Sequence, residues 1–275
     1  MKLREWSAVA AACLCMQAAG AAERASQLPL LVIGASYAEG KTPFNNGIAP
    51  LGGISVGFGS YLSLGQALTR SELLPGYVIN EAQGGAGTFA RPYCAPGAAV
   101  CGPAGWESYQ TQLQKAMARV AVPPAFTQYN ARYVVITTAN DCLHADAFGV
   151  PQTQSQPCTP AQMNQTIDRL VALGHTALAA GITPIYDVYP RYDKLDLVHF
   201  RDAFGLAWVI GEHDYNLLRE LSRSRLRAEL PQALVLDIWK DFQHLGDGLH
   251  PTPETTRRAA RVIALELLRR DQAQH

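Results

Sequence analysis

A serine and an aspartate–histidine pair are the residues of this sequence whose types and positions suggest chemistry. Ser36 follows the apolar run at 30–34, which has the composition of a buried strand, and open α/β sheets hold their sites at the carboxyl ends of such strands. Asp247 and His250 lie three residues apart, so the carboxylate can hold the imidazole in one tautomer. The sequence therefore predicts a polar site that combines a hydroxyl group, an imidazole and a carboxylate.

Two further loops follow predicted strands. The stretch 80–88 contains Gly84, Gly85 and Gly87, and glycine lets a backbone N–H group approach a ligand closely. Its glycine spacing is not that of a Rossmann dinucleotide-binding loop. Asn140 follows the next strand, where its side-chain N–H can be directed at an oxyanion. Because parallel strands end at one edge of a sheet, both loops are expected beside Ser36.

The elements that must position these residues are strand-like and helix-like segments in alternation. In the segment 161–180, for example, Met163, Ile167 and Leu170 share one helical face. Such alternation predicts a single α/β domain with three α/β/α layers around a mostly parallel five-stranded sheet. The predicted strands cover 30–34, 76–82, 132–138, 183–189 and 233–239. The predicted helices cover 59–74, 106–120, 161–180 and 200–229, the last one kinked near Gly211, and a final helix starts at Thr252.

Composition and the N-terminus limit the class of protein. The 275 residues are 48% hydrophobic and 17% charged, which is typical of a globular chain with a sizeable core. Basic and acidic residues number 23 each, so the charge offers no case for binding nucleic acid or an anionic membrane surface. Residues 1–22 have a basic start followed by a short Ala-rich apolar stretch, the pattern of a secretory signal peptide and not of a membrane span. An exported domain is therefore expected over 23–275.

Export would place four cysteines in an oxidising compartment, where an even number indicates disulfides. Pairing between neighbours, Cys94 with Cys101 and Cys142 with Cys158, closes short loops rich in Pro and Gly. Two other pairings are possible, and the sequence alone does not exclude them. No Cys-x-x-Cys pair is present, so no zinc or other metal site is predicted.

The four loops together resemble the SGNH hydrolases of the GDSL esterase and lipase superfamily. That family is named for Ser, Gly, Asn and His, each in its own block, and the blocks occur here in the same order over nearly the whole predicted domain. This sequence departs from the family at Ala35, where the family has Asp, at Tyr37, where it has Leu, and at Thr138, where it has Gly. The matching stretches are Gly34-Ala35-Ser36, Asn80 to Thr88, Thr138-Ala139-Asn140-Asp141 and Asp247-Gly248-Leu249-His250-Pro251.

The resemblance implies a flavodoxin-like SGNH fold and a serine hydrolase that cleaves acetyl or short-chain acyl esters, with carbohydrate esters among the candidate substrates. Ser36 would attack the ester carbonyl, His250 would accept its proton, and Asp247 would orient His250. No cofactor is implied, and the expected partners are small-molecule or glycan esters. An acyltransferase or a non-catalytic glycan-binding relative of the same fold is the alternative.

The resemblance also implies an oxyanion hole for the tetrahedral intermediate. Its donors would be the backbone N–H groups of Ser36 and Gly85 and the side chain of Asn140. Gly84 and Gly87 are alternatives to Gly85, because the stretch 80–88 carries one residue more than the family's glycine block.

A second serine competes for the role of nucleophile. Ser55 lies in Gly53-Ile54-Ser55-Val56-Gly57, which matches the nucleophile elbow of α/β-hydrolases. The residues PLGG precede it where that motif needs a strong strand, so Ser36 is preferred.

The aromatic residues expected to line a substrate pocket are Tyr37, Phe44, Tyr189, Tyr192 and Trp239.

Overall fold

A computed structural model describes residues 28–39, 61–74, 76–94, 97–102, 105–123, 128–145 and 149–273. The predicted signal peptide 1–22, Phe44 and Ser55 lie outside these ranges. Within the described part of the chain, no helix is both long and apolar enough to cross a membrane.

Short strands and longer helices alternate along the chain. The strands are β1 Leu30–Ile33, β2 Val78–Asn80, β3 Arg91–Pro92, β4 Gly105–Trp106, β5 Ala121–Val122, β6 Gln128–Tyr129, β7 Tyr133–Ile136, β8 Thr183–Asp187 and β9 Leu234–Leu236. The helices are α1 Leu64–Thr69, α2 Tyr109–Ala118, α3 Pro160–Ala179, α4 Leu197–Phe204, α5 Glu212–Glu229 and α6 Pro253–Ala273. Short 3₁₀ turns cover Gln152–Gln154 and Tyr192–Lys194.

Five of these strands form the predicted parallel sheet, in the order β2-β1-β7-β8-β9. All four of its strand pairs are parallel. Every residue of β1 and β7 is buried although successive side chains point to opposite faces, so both faces of the sheet are covered. One group of helices pairs α1 with α6, and another packs α3 against α2 and α5. The predicted α/β/α class with a five-stranded sheet is confirmed.

The start of α3 illustrates how local sequence sets the elements. Thr159 caps the helix by accepting a hydrogen bond from the Gln162 backbone N–H, the Gln162 side chain accepts one from Thr159 N–H, and Pro160 occupies the first turn. The predicted apolar face of this helix, which includes Met163 and Ile167, is buried.

The single helix predicted over 200–229 is wrong. The chain forms two helices there, α4 and α5, separated by residues 205–211. Gly205 adopts φ +63°, a left-handed conformation that ends α4, and its backbone N–H closes the last turn on the carbonyl oxygens of Arg201 and Asp202. Gly211 then precedes α5, so the expected kink is a complete interruption.

Two predicted helices are shorter than expected. Within the described part of 59–74, the helix begins only after Ser63, which forms a capping box with Gln66, and it ends at Thr69. The helix predicted from 106 begins at Tyr109, because Ser108 caps it and Trp106 belongs to β4. Strands β3 and β4 pair as a small antiparallel ribbon outside the main sheet, as do β5 and β6. Neither ribbon was predicted.

Candidate active site

A narrow cleft opens at the carboxyl ends of β1, β7 and β8. Three of the loops singled out by the sequence meet there, since Ser36, Asn140 and the residue before His250 all line it. The complete lining is Ala35, Ser36, Tyr37, Thr138, Asn140, Leu143, Tyr189, Pro190, Tyr215 and Leu249.

The turn that carries Ser36 is packed tightly against the loop after β7. Gly34 has φ +139°, and a Cβ at this position would lie 1.9 Å from Thr137 Oγ1, so no other residue fits. The Gly34 backbone N–H donates to Gln112 Oε1 at 2.8 Å, and the Ala35 N–H donates to Thr137 Oγ1 at 3.3 Å. These contacts fix the backbone from which Ser36 projects.

Asp247 and His250 form a buried hydrogen-bonded pair. Asp247 Oδ2 lies 2.5 Å from His250 Nδ1, and Asp247 Oδ1 accepts the backbone N–H groups of Leu249 and His250, each at 3.0 Å. Burial alone would raise the pKa of the Asp247 carboxyl. The charge and hydrogen bond of His250 and the hydrogen bonds from the two backbone N–H groups lower it by more. The pKa of this carboxyl therefore lies below its ordinary value. The pair therefore holds an ionised carboxylate against Nδ1 of the imidazole.

Two tyrosines join the Ser36 turn to the His250 loop. The Tyr37 hydroxyl donates to the Leu249 carbonyl oxygen at 2.8 Å. The Tyr61 hydroxyl donates to the Ser36 carbonyl oxygen, and the Tyr61 ring packs edge-on against the His250 ring at 5.5 Å between centroids. Tyr61 thus contacts both halves of the candidate site.

Three side chains, Glu39, Trp106 and Arg91, support the glycine loop 84–87. Gly84 packs against Glu39, because a Cβ on Gly84 would lie 2.6 Å from Glu39 Oε2. A Cβ on Gly85 would lie 3.0 Å from the ring of Trp106, and the Gly85 carbonyl oxygen accepts a hydrogen bond from Arg91 Nη2. The Arg91 guanidinium stacks over the Trp106 ring at 4.2 Å, so β3 and β4 together hold the Gly85 peptide.

Asn140 is held by the loops on both sides of it. The side-chain Nδ2 of Asn140 donates to the Ala86 carbonyl oxygen at 3.4 Å. The backbone carbonyl oxygen of Asn140 accepts a hydrogen bond from the Leu143 N–H at 2.9 Å. The hydroxyl of Tyr189 donates to the carbonyl oxygen of the preceding residue, Ala139, at 2.6 Å. One of the two side-chain N–H groups of Asn140 is therefore used in the loop, and Asn140 also lines the cleft.

Two disulfides lie near elements of the candidate site. The neighbour pairing is the one present, Cys94 with Cys101 and Cys142 with Cys158. Cys94–Cys101 lies within the connection between β3 and β4, and Cys142–Cys158 ties the segment after Asn140 to the start of α3.

The predicted pocket aromatics divide into two groups. Tyr37 and Tyr189 line the cleft. Trp239 is 1% exposed and donates its indole N–H to Asp187 Oδ2 at 2.8 Å, so it lies in the core behind Tyr37. Tyr192 packs against Tyr215 outside the lining.

Four residues of the site were missed by the sequence reasoning: Glu39, Tyr61, Arg91 and Trp106. Glu39 offered a signal, because it is a charged residue in a stretch of small and apolar ones just after Ser36. The other three act through contacts between distant loops, for which the sequence carries no local pattern. The described residues contain no cluster of three or more His, Cys, Asp or Glu side chains arranged to hold a metal ion.

Comparison with known proteins identifies relatives by fold. No protein-family model and no curated protein sequence matches the chain. Among solved structures, the carbohydrate acetylesterase Est24 from Sinorhizobium meliloti is similar with a TM-score of 0.53 and 15% identity, over 88% of this chain and 99% of that one. A proposed acylhydrolase from Bacteroides fragilis has a TM-score of 0.50 and 14% identity, over 91% and 95% of the two chains. The chain therefore has an α/β/α fold of the SGNH hydrolase type.

Proposed function

We propose that the chain is a carboxylic ester hydrolase with Ser36 as nucleophile, His250 as general base and Asp247 as the group that orients His250. One observation carries the proposal: a buried Asp247–His250 pair stands beside a cleft lined by Ser36 and Asn140. The SGNH hydrolase fold, which includes named esterases, adds support.

In the proposed reaction, Ser36 Oγ attacks the ester carbonyl carbon while His250 Nε2 takes its proton. A serine hydroxyl is a weak nucleophile, so this proton transfer is essential. Asp247 stabilises the imidazolium that forms and keeps Nδ1 protonated. His250 then protonates the leaving alcohol to give an acyl-Ser36 intermediate, which water hydrolyses to the carboxylic acid with His250 again acting as base.

The oxyanion of each tetrahedral intermediate would be held by the Ser36 and Gly85 backbone N–H groups and by Asn140 Nδ2. Neither backbone group donates to another backbone carbonyl among the described residues. Gly84 is a poorer candidate because its N–H faces the Glu39 carboxyl, and Gly87 is packed against Asp141, whose Oδ2 would lie 2.7 Å from a Cβ there. One such donor contributes roughly 3–4 kcal/mol to transition-state stabilisation.

The cleft favours small acyl groups. The cleft between its described walls has room for about one water molecule, and bulky Tyr189 and Tyr215 are among the residues that line it. An acetyl ester needs little widening of such a cleft, whereas a long acyl chain needs a channel. Because a structural relative is a carbohydrate acetylesterase, acetylated carbohydrate is the proposed substrate class.

Export is proposed for the same protein. The two disulfides are typical of an oxidising compartment, and they agree with a signal peptide over 1–22 that precedes a hydrolase domain over 23–275. N-terminal sequencing of the secreted protein tests this proposal, since the mature chain should begin near residue 23.

The proposed activity is tested with p-nitrophenyl esters of increasing acyl length and with an acetylated polysaccharide, with release of acetate as the second readout. Acetate and short acyl esters should be hydrolysed, and long-chain esters should be poor substrates. Ser36→Ala should abolish hydrolysis while Ser55→Ala retains it. A folded Ser55→Ala protein without activity, beside an active Ser36→Ala protein, would contradict the proposal.

A further inference from the structure

Glu39 is a buried carboxylic acid for which the proposed reaction has no use. It lies three residues after Ser36 and is 0% exposed. Neither carboxyl oxygen makes a well-formed hydrogen bond to a described residue. An unpaired carboxylate in such a place is costly, so the uncharged form is favoured. Burial accordingly raises the pKa of the Glu39 carboxyl to about 8, with a smaller opposite effect from the Gly84 backbone N–H.

The position of this carboxyl links the nucleophile to the oxyanion loop. The Glu39 backbone N–H donates to the Ser36 carbonyl oxygen at 3.4 Å, and Ser63 Oγ donates to the Glu39 carbonyl oxygen at 2.7 Å. The side chain then reaches Gly84, whose N–H faces the carboxyl and which directly precedes the proposed donor Gly85. The carboxyl therefore fills the space between the Ser36 turn and the Gly84–Gly85 peptide.

Little in the electrostatic surroundings favours the ionised form of Glu39. Burial raises the pKa of its carboxyl and the Gly84 N–H lowers it by less, and no cation among the described residues contributes. The titratable group that faces it is Tyr61, whose pKa is raised first by burial and then by the negative charges of Glu39 and Asp247. Ionised Glu39 would thus bring a second carboxylate to a site that already holds Asp247.

We propose that Glu39 is a positioning residue of this site, whose uncharged carboxyl supports the Gly84–Gly85 peptide for oxyanion binding and whose ionisation at alkaline pH inactivates the enzyme. The proposal rests on the proposed esterase function. A carboxylate at Glu39 attracts the Gly84 N–H and turns the adjoining peptide, and its charge opposes the negative charge that develops on the substrate oxygen. Loss of one oxyanion donor lowers kcat by about 10²–10³-fold, which sets the scale of the effect.

The test is the pH profile of kcat and kcat/KM between pH 5 and 10, with p-nitrophenyl acetate as substrate and spontaneous hydrolysis subtracted. For the wild type we expect activity to fall about tenfold per pH unit above the ionisation of Glu39. Glu39→Gln has nearly the same shape and cannot ionise, so it should retain most of the activity at pH 7 and lose the alkaline fall. KM should change less than kcat.

Asp187→Asn provides the matched control. Asp187 is also a buried acid, with its pKa raised by burial to about 7, but its carboxyl accepts hydrogen bonds from Trp239 and the Thr138 backbone N–H. It is not among the groups nearest to Gly84, Gly85 or Gly87. This variant should keep the alkaline fall of the wild type. An alkaline fall that persists in Glu39→Gln, or one that disappears in Asp187→Asn alone, would overturn the proposal.

Two further measurements keep the proposal falsifiable if Glu39→Gln does not fold. Glu39→Met fills a similar volume without ionising, so it should lower kcat at every pH and still abolish the alkaline fall. In the wild type itself, a constant kcat from pH 7 to 10 would refute a role for Glu39 ionisation. Failure of the proposed esterase function can be distinguished from failure of the Glu39 proposal. In the first case the wild type would release no product, or Ser36→Ala would remain active.

Discussion

Replacing Glu39 by Gln should change how the stability of the protein depends on pH. The Glu39 carboxyl has an ordinary pKa of 4.5 and a pKa of about 8 in the folded protein. Between these two pH values the folded protein holds a proton that the unfolded chain has released. The stability contributed by this group is therefore complete below about pH 4.5 and is lost as the pH rises towards 8.

The size of the effect follows from the pKa difference of about 3.5 units between the two states. Each unit corresponds to about 1.4 kcal/mol, so the loss reaches roughly 5 kcal/mol by pH 8 and then levels off. This is a large share of the typical 5–15 kcal/mol that stabilises a domain. Glutamine does not titrate, so Glu39→Gln should gain stability relative to the wild type by about 1.4 kcal/mol per pH unit between pH 5 and 8.

The assay is equilibrium urea unfolding without reductant at pH 5.5, 6.5, 7.5 and 8.5, with the difference in unfolding free energy taken at each pH. The fixed cost of burying an amide cancels from the pH dependence, and so does the titration of Asp187, which both proteins share. In a matched Asp187→Asn protein the relative gain should level off near pH 7, the pKa of the Asp187 carboxyl. A stability difference between wild type and Glu39→Gln that stays constant with pH would refute the reasoning.

Further substitutions test the geometry of the site. Asp247→Asn should lower kcat by about 10⁴-fold at unchanged fold, measured by steady-state kinetics beside circular dichroism, since Nδ1 loses its acceptor. Gly34→Ala should lower the free energy of unfolding in urea by roughly 3 kcal/mol or more, because a Cβ there collides with Thr137. Gly181→Ala is the control, because a Cβ at Gly181 meets open space, and it should lower the free energy of unfolding by only about 1 kcal/mol. Removing the Cys142–Cys158 bridge with two serines should cost roughly 3 kcal/mol in calorimetry and lower kcat more than it raises KM, because the bridge holds the segment after Asn140.

The sheet and the placement of the candidate site followed from local patterns. Apolar runs such as 30–34 and 132–138 contain strands that are buried on both faces, and a run of this kind has few alternatives in an α/β chain. Polar residues just after those runs, including Ser36 and Asn140, therefore had to meet at one edge of the sheet. The break between α4 and α5 escaped this reasoning because amphipathic helical sequence continues on both sides of Gly205.

The supporting contacts could not be predicted, because they depend on how separate loops meet. Two-residue strands such as β3 and β4 carry no periodicity, and their pairing places Arg91 over Trp106 beside Gly85 only once the fold is complete. Glu39 is a charged residue in a stretch of small and apolar ones, but that pattern does not predict its neighbours. One of them is Gly84, which comes from the loop after β2.

The central claim is that Ser36 is a nucleophile activated by His250, and covalent labelling tests it most directly. A fluorophosphonate probe forms a bond to an activated serine oxygen with loss of fluoride, and peptide mapping by mass spectrometry locates the adduct. One adduct per chain is expected, on the peptide that contains Ser36, with labelling abolished in Ser36→Ala and strongly slowed in His250→Ala. An adduct on Ser55, or labelling of folded Ser36→Ala at the wild-type rate, would contradict the claim.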